Sequence, residues 1–227
     1  KTLKGIVEAS ENTIRKFPYT TPNHTMLEGV TMLETPEGDM PLEIFGAHNL
    51  NNLAGAKWIC QQMGVDEADF YEAIASFKGA AKRLQKIAEG TNSLIFKDFA
   101  HAPSKVKATT MAVREQYPRQ RLIACLELHT YSSLNAEFLK EYDGALDAAD
   151  EAVVFYDPGT VKIKGLEEVT AEQIGKALNR SDINIFTDSN SFQEYLYGQN
   201  FSDSVLLLMS SGDYGGLDFE LLKEKIL

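Results

Sequence analysis

From Ser93 onward the chain repeats one unit, and that repetition limits the fold more than any other feature. Short apolar runs occur at Leu94–Phe99, Arg121–Leu128, Ala152–Tyr156, Ile183–Phe186 and Val205–Met209. Each is strand-length, and each gives way to a polar joint and then a helical pattern. Those patterns lie at Ser104–Tyr117, Leu134–Ala149, Ala171–Leu178, Ser191–Tyr197 and Phe219–Ile226. Strands that alternate with helices predict a parallel sheet covered on both faces. Right-handed crossovers make it doubly wound, so the expected class is α/β with a mostly parallel sheet.

The chain before this repeat reads differently. Thr25–Glu34 alternates as a strand, Pro36-Glu37-Gly38-Asp39 is a turn, and Met40–Phe45 is a return strand. After Gly46, Asn49 or Asn51 is the expected cap of a helix running to about Met63, with Gly64 as its stop. Asp66–Ser76 reads as a second helix, with Phe70, Ile74 and Phe77 on its apolar side. The expected division is residues 1–77 and residues 78–227.

Charge and composition narrow the partners. The net charge of −11 argues against nonspecific nucleic-acid binding, which needs a basic face. No apolar run approaches the ~20 residues that span a bilayer, and Lys1–Ile14 has no signal-peptide pattern. Cys60 and Cys125 sit in apolar segments without metal-like spacing, as buried thiols of a reducing cytoplasm would. Trp58, among Ala56, Ile59 and Cys60, is expected in a core.

The joints carry the chemistry. They read DFAHAPS, ELHTYSS, YDPGT, TDSNS and SSGDYGG, all at the carboxyl ends of strands, where open α/β sheets bind ligands. Asp157 and Asp188 are read as turn and cap residues. Asp98 with His101 is read as functional, with His101 or Ser104 as the better cap for the following helix. The chain contains no G-x-x-x-x-G-K-[ST] phosphate loop, and the first joint is not the G-x-G-x-x-G of a redox Rossmann enzyme.

Three stretches together, FGAHNLNN (45–52), FKGAAKRL (77–84) and DFAHAP (98–103), resemble the Mur ligase family in content and order. That resemblance implies ATP-driven amide formation on peptidoglycan precursors. It makes residues 1–77 the tail of the central ATPase domain and residues 78–227 the Rossmann-like carboxyl-terminal domain. By the same resemblance, Asn49 and Asn52 lie near the adenine and His48 belongs to their motif. Arg83 is the hinge arginine, Asp98 the acid at the nucleotide end of the last domain, and His101 its companion; Arg83, Asp98 and His101 are the implied catalytic group. His129, Ser132, Ser133, Ser211, Gly212 and Asp213 would face the incoming amine or peptide. ELHTYSSLN (127–135) is similar to an element of the L-alanine ligases, whereas LLLMSSGDYGGLD (206–218) looks more like the murein tripeptide ligase branch. The expected substrates are ATP, UDP-N-acetylmuramate and murein tripeptide, with L-alanine as the alternative amine.

Three residues depart from the family's pattern: Lys97 for an Asp, Ala102 for a His, and Ser133 for an Arg that could clamp a carboxylate. Arg114, Arg119 and Arg121 are replacements for that clamp by residue type only. The missing phosphate loop is expected if the chain, which begins with Lys1, is part of a longer protein. Mg2+ would then be bound mainly upstream, and this part would be inactive alone. A ligand-binding module without ligase chemistry is the reading from another class, because fold alone does not fix function.

Overall fold

The computed structural model describes residues 3–167 and 169–226. After α1 (Leu3–Glu8), three antiparallel strands form a small sheet: β1 (His24–Leu27), β2 (Val30–Thr35) and β3 (Gly38–Leu42). The strand expected over Thr25–Glu34 is two strands. Glu28 and Gly29 take φ of 50° and 80°, which turns the chain between them. β3 is an edge strand, so Pro41 sits in it without breaking a ladder bond. Two helices follow, α2 (Ala47–Gln62) and α3 (Glu67–Ala75). Asp66 caps α3 by accepting from the Asp69 amide. Neither Asn49 nor Asn51 caps α2, which starts earlier, from Gly46. Leu33, Leu42, Leu50, Leu53 and Phe70 close the small core of this part. Trp58 is not in it; it is 37% exposed and lies 5.5 Å from the Phe17 ring.

The larger sheet has six strands in the order β4-β5-β9-β6-β7-β8. β4 (Gln85–Glu89) is an antiparallel edge, and its polar, half-exposed sequence hid it from the pattern reading. β5 (Leu94–Asp98), β6 (Arg121–Glu127), β7 (Glu151–Phe155), β8 (Asn184–Phe186) and β9 (Ser204–Met209) are parallel. The doubly wound α/β expectation therefore holds. Between them run α4 (Pro103–Gln116), α5 (Ala136–Leu139), α6 (Pro158–Ile163), α7 (Ala171–Ala177) and α8 (Ser189–Tyr197), with α9 (Phe219–Glu224) last. The helix expected over Leu134–Ala149 is broken. A 3-10 turn at Lys140–Tyr142 follows α5, and Gly144 then adopts a φ of 67°. In exchange Tyr142 is buried, and its hydroxyl donates to the His101 carbonyl.

Strand residues alternate between two cores, as a pleat requires. Phe96, Leu122, Ala124, Leu126 and Leu207 face one. Ile95, Ile123, Cys125, Leu206 and Leu208 face the other. Phe45 carries the first core toward the small sheet, edge-on to Phe96 at 5.5 Å and to Tyr117 at 5.9 Å. A buried polar contact adds to this junction. The Thr31 hydroxyl donates to Gln116 Oε1 at 3.1 Å, and Gln116 Nε2 donates to the Gly29 carbonyl.

Gly46 sits at this junction with a φ of 89°, and an added Cβ would lie 2.6 Å from Ala112 Cβ. Gly64, at 91°, has open space around it. Gly46→Ala should cost both conformational strain and overpacking, together about 2–5 kcal/mol. Gly64→Ala should cost only the strain, about 1–2 kcal/mol. Urea unfolding of the two variants checks this; equal losses would remove the packing contribution.

Candidate functional site

Five of the expected residues line one cavity of about 760 Å³: His48, Asn49, Asn52, Arg83 and Asp98. The first turns of α2 supply the first three. Asn49 and Asn52 are three apart and so share a helix face. Asn49 Nδ2 donates to the Phe45 carbonyl at 2.9 Å, which leaves its side-chain oxygen as an acceptor. Burial lowers the pKa of His48, and the nearby Asp98 charge pulls it partly back. A lowered pKa makes His48 a neutral imidazole at neutral pH.

Asp98 is only 5% exposed, and both its oxygens are engaged by backbone. Oδ2 accepts from the Leu84 amide at 2.5 Å and Oδ1 from the Ala100 amide at 2.5 Å. Burial pushes its pKa up, opposed by those amides and by His48 and Arg83. The segment it grips is strained, with Lys82 at φ 59° and Leu84 at φ 44°. The Phe99 amide adds a bond to the Lys82 carbonyl at 2.8 Å. Arg83 lies between these held residues, its guanidinium 5.6 Å from the Phe99 ring centroid.

His101 does not line the cavity. Its Nδ1 donates to the Phe99 carbonyl at 2.8 Å, and its ring meets Phe99 edge-on at 5.0 Å. It orders the joint. Neither it nor Ser104 caps α4; the N-cap is Ala102, with no side-chain acceptor. Ser104 and Lys105, at the start of that helix, border the cavity, as does Lys78. The sequence reading missed both lysines. Their signal was position alone, one in the first turn of a crest helix and one beside the hinge.

The remaining expected residues form a second group at the ends of β6 and β9. Ser133 is 1% exposed, and its hydroxyl is spent inside its own loop. It donates to the Thr130 carbonyl at 3.1 Å and accepts from the Thr130 amide at 2.9 Å. Ser132 is exposed, 3.2 Å from the Thr130 hydroxyl, and Asp213 is exposed too. Ser211 Oγ is buried and has no partner among the described residues. The central residue here, Glu127, was not foreseen. It is 3% exposed and accepts from the Ser210 hydroxyl and, at 3.0 Å, from the Tyr214 amide. Its Oε1 lies 3.5 Å from His129 Nδ1. A Cβ on Gly212 would meet both Glu127 oxygens at 2.8 and 2.9 Å, so no side chain fits there. An acid closing an otherwise apolar strand was the available signal.

Asp157 and Asp188 are helix caps, as read: Asp157 accepts from the Gly159 and Thr160 amides, Asp188 from Ser191. Arg114 and Arg121 are not at this crest. Arg114 binds Asp150 and two carbonyls; Arg121 starts β6 and binds Glu151. Among the described residues no group of three or more His, Cys, Asp or Glu could hold a metal ion, and no helix is long and apolar enough to cross a membrane.

His48 should titrate below the ordinary histidine value of ~6.5, and Asp98→Asn should lower it further by removing a charge that raises it. As pH falls through that window the unfolded chain binds the proton first, so stability is lost on acidification. Histidine NMR and urea unfolding between pH 7 and 5, with His48→Gln lacking this component, are the measurements.

The Mur ligase, glutamate ligase domain family matches residues 82–212. The UDP-N-acetylmuramate–L-alanine ligase of Halorhodospira halophila is 30% identical over 210 residues, covering 84% of this chain and 41% of the relative. That of Gloeothece citriformis is 27% identical over 224 residues, covering 93% and 44%. The chain thus spans less than half the length of these relatives. In fold it is similar to UDP-N-acetylmuramate-alanine ligase MurC from Thermotoga maritima, with a TM-score of 0.64 at 17% identity over 90% of this chain and 44% of that one. A murein peptide ligase from Psychrobacter arcticus gives 0.58 at 19% identity, over 86% and 41%. With the family matching more than half of its residues, the chain belongs to the Mur ligases.

Proposed function

We propose that this chain forms the adenine-facing and amine-facing end of an ATP-dependent, amide-forming ligase of peptidoglycan precursors. The observation that carries the reading is the single cavity that joins His48, Asn49 and Asn52 of α2 to Arg83 and Asp98 across the hinge segment. A carboxylate is a poor electrophile. ATP activates it as an acyl phosphate, which an amine then attacks, and the protein contributes positioning and charge stabilisation.

The residues fit a nucleotide. Asn side chains offer both a donor and an acceptor to an adenine edge. Arg83, Lys78 and Lys105 supply positive charge for phosphates, beside the uncapped start of a 14-residue helix. We assign Asp98 the task of holding the hinge that presents Arg83, because its two oxygens accept the Leu84 and Ala100 amides on either side of it. His101 supports the same joint. Mg2+ would be held chiefly by ATP phosphates and by groups outside this chain, and turnover would need a phosphate loop that these residues do not include. A cytoplasmic setting follows from those substrates.

The second group, His129, Ser132, Ser211, Gly212 and Asp213, would receive the amine, with Ser133 shaping the loop. L-alanine and murein tripeptide both present an L-alanyl amine. The relatives' names favour L-alanine; the SSGDYGG ending favours the tripeptide.

Two measurements test this. Calorimetry with ADP should show binding that Asn52→Ala and Arg83→Ala each weaken by about 5–20-fold, the scale of one lost charged or polar contact. In the full-length protein, phosphate release with UDP-N-acetylmuramate should require one of the two amines. Turnover with L-alanine alone would exclude tripeptide ligation, turnover with tripeptide alone would exclude L-alanine ligation, and no ADP binding would leave a module of another ligand.

A further inference from the structure

Glu127 is a buried carboxylate that the nucleotide cavity does not use. It ends β6 beneath the crest, with 4% of its side chain exposed, while the His129 side chain beside it is 39% exposed. Its Oε2 is held by the Ser210 hydroxyl and the Tyr214 amide, both from the loop that follows β9. Its Oε1 is directed to His129 Nδ1 at 3.5 Å, an electrostatic contact longer than a hydrogen bond. Such pairs often tighten only when ligand arrives. Gly212 lies over both groups so closely that a Cβ would come within 3.0 Å of His129 Nδ1. A further acid that feels this histidine, Asp157, has its oxygens engaged by the Gly159 amide and by the amide and hydroxyl of Thr160.

We propose that Glu127 is a positioning residue that keeps the proton of neutral His129 on Nδ1, which leaves Nε2 free to take a proton from the incoming amine. The logic is general: a carboxylate beside one imidazole nitrogen fixes the tautomer and so assigns the task of the other. This inference rests on the ligase reading. The amine arrives as R–NH3+ and gives one proton to His129 Nε2, forming an imidazolium. The freed lone pair attacks the acyl carbon of the acyl phosphate. The C–N bond forms, the C–O bond to phosphate breaks, and phosphate leaves with that electron pair. The second nitrogen proton goes to the departing phosphate, and the imidazolium returns its proton to solvent. Ser211 Oγ, buried without a partner among the described residues, stands in the same loop as Gly212.

The test is the tautomer of His129, read by 15N–1H multiple-bond NMR. The unaltered chain should show neutral His129 as Nδ1–H. Glu127→Gln should reverse it to Nε2–H, because a carboxamide can turn an N–H toward Nδ1 while its oxygen still accepts from Ser210 and Tyr214. Ser210→Ala removes one bond to Glu127 without changing the charge. It should lower stability and leave the tautomer alone, which separates positioning from folding. In the full-length protein, Glu127→Gln should lower kcat for amide formation by ~10²-fold or more, the usual worth of a positioned base. ADP affinity should stay unchanged, and His129→Ala should cost no more when added to it. An Nε2–H tautomer in the unaltered protein, an unchanged tautomer in Glu127→Gln, or a loss confined to the amine KM would each overturn the proposal. Loss of ADP binding in the unaltered protein would instead defeat the ligase reading.

Discussion

The Asp98 carboxylate accepting two backbone amides is the interaction on which the arrangement of this protein turns. One amide, from Leu84, belongs to the strained hinge segment; the other, from Ala100, belongs to the joint after β5. Left-handed backbone at Lys82 and Leu84 would relax without a partner, at a cost recovered of about 1–2 kcal/mol per residue. A buried, charged acceptor opposes that relaxation, since leaving either amide unsatisfied costs a similar amount. The result is a fixed path for the chain between the small sheet and the large one. Arg83 is presented from that path, and the cavity has Asp98 as part of its wall.

Two separate polar groups then lie along one edge of the large sheet. The cavity group is bounded by α2, the segment around Arg83 and α4; the crest group lies at the ends of β6 and β9. They differ in how their acids are used. Asp98 accepts a backbone amide on each oxygen. Glu127 has one oxygen committed to β9's loop and the other turned to an imidazole. Tyr214 shows how firmly that loop is held. Its amide binds Glu127, and its buried hydroxyl shares its one proton between the Cys125 and Met209 carbonyls, at 2.8 and 2.9 Å.

Much of this was legible in sequence because it rests on local rules. Strands buried on both faces leave apolar runs, and β5, β6, β7, β8 and β9 were found by them. Caps leave an Asp before a helix, and Asp157 and Asp188 were read correctly on that ground. The cavity residues on α2 and the hinge were found through resemblance, since Asn52 and Arg83 are unremarkable as single residues. What stayed hidden depends on tertiary contact. β4 is polar because it is an edge, so periodicity passes over it. The expected long helix after Leu134 breaks where Tyr142 turns inward to the His101 carbonyl, an attachment 41 residues away in sequence. Ser133 looked available to a ligand until its hydroxyl was seen turned back on Thr130. Glu127 looked like the end of a strand.

The position of β9 has a consequence for how the protein is made. β9 follows every other described strand of this sheet in sequence, yet it lies between β5 and β6 and supplies ladder bonds to both. Until it arrives, β5 and β6 have no shared neighbour, and each keeps an open, strongly apolar edge of the kind that recruits strands from other chains. Pairings so distant in sequence are also slow to form. The exposure of those two edges therefore lasts until β9 has been made. It ends when Ser204–Met209 slides into the gap, an event that also brings Ser210, Gly212 and Tyr214 to Glu127. The segment that completes the sheet is thus also the one that carries the crest's contacts to Glu127.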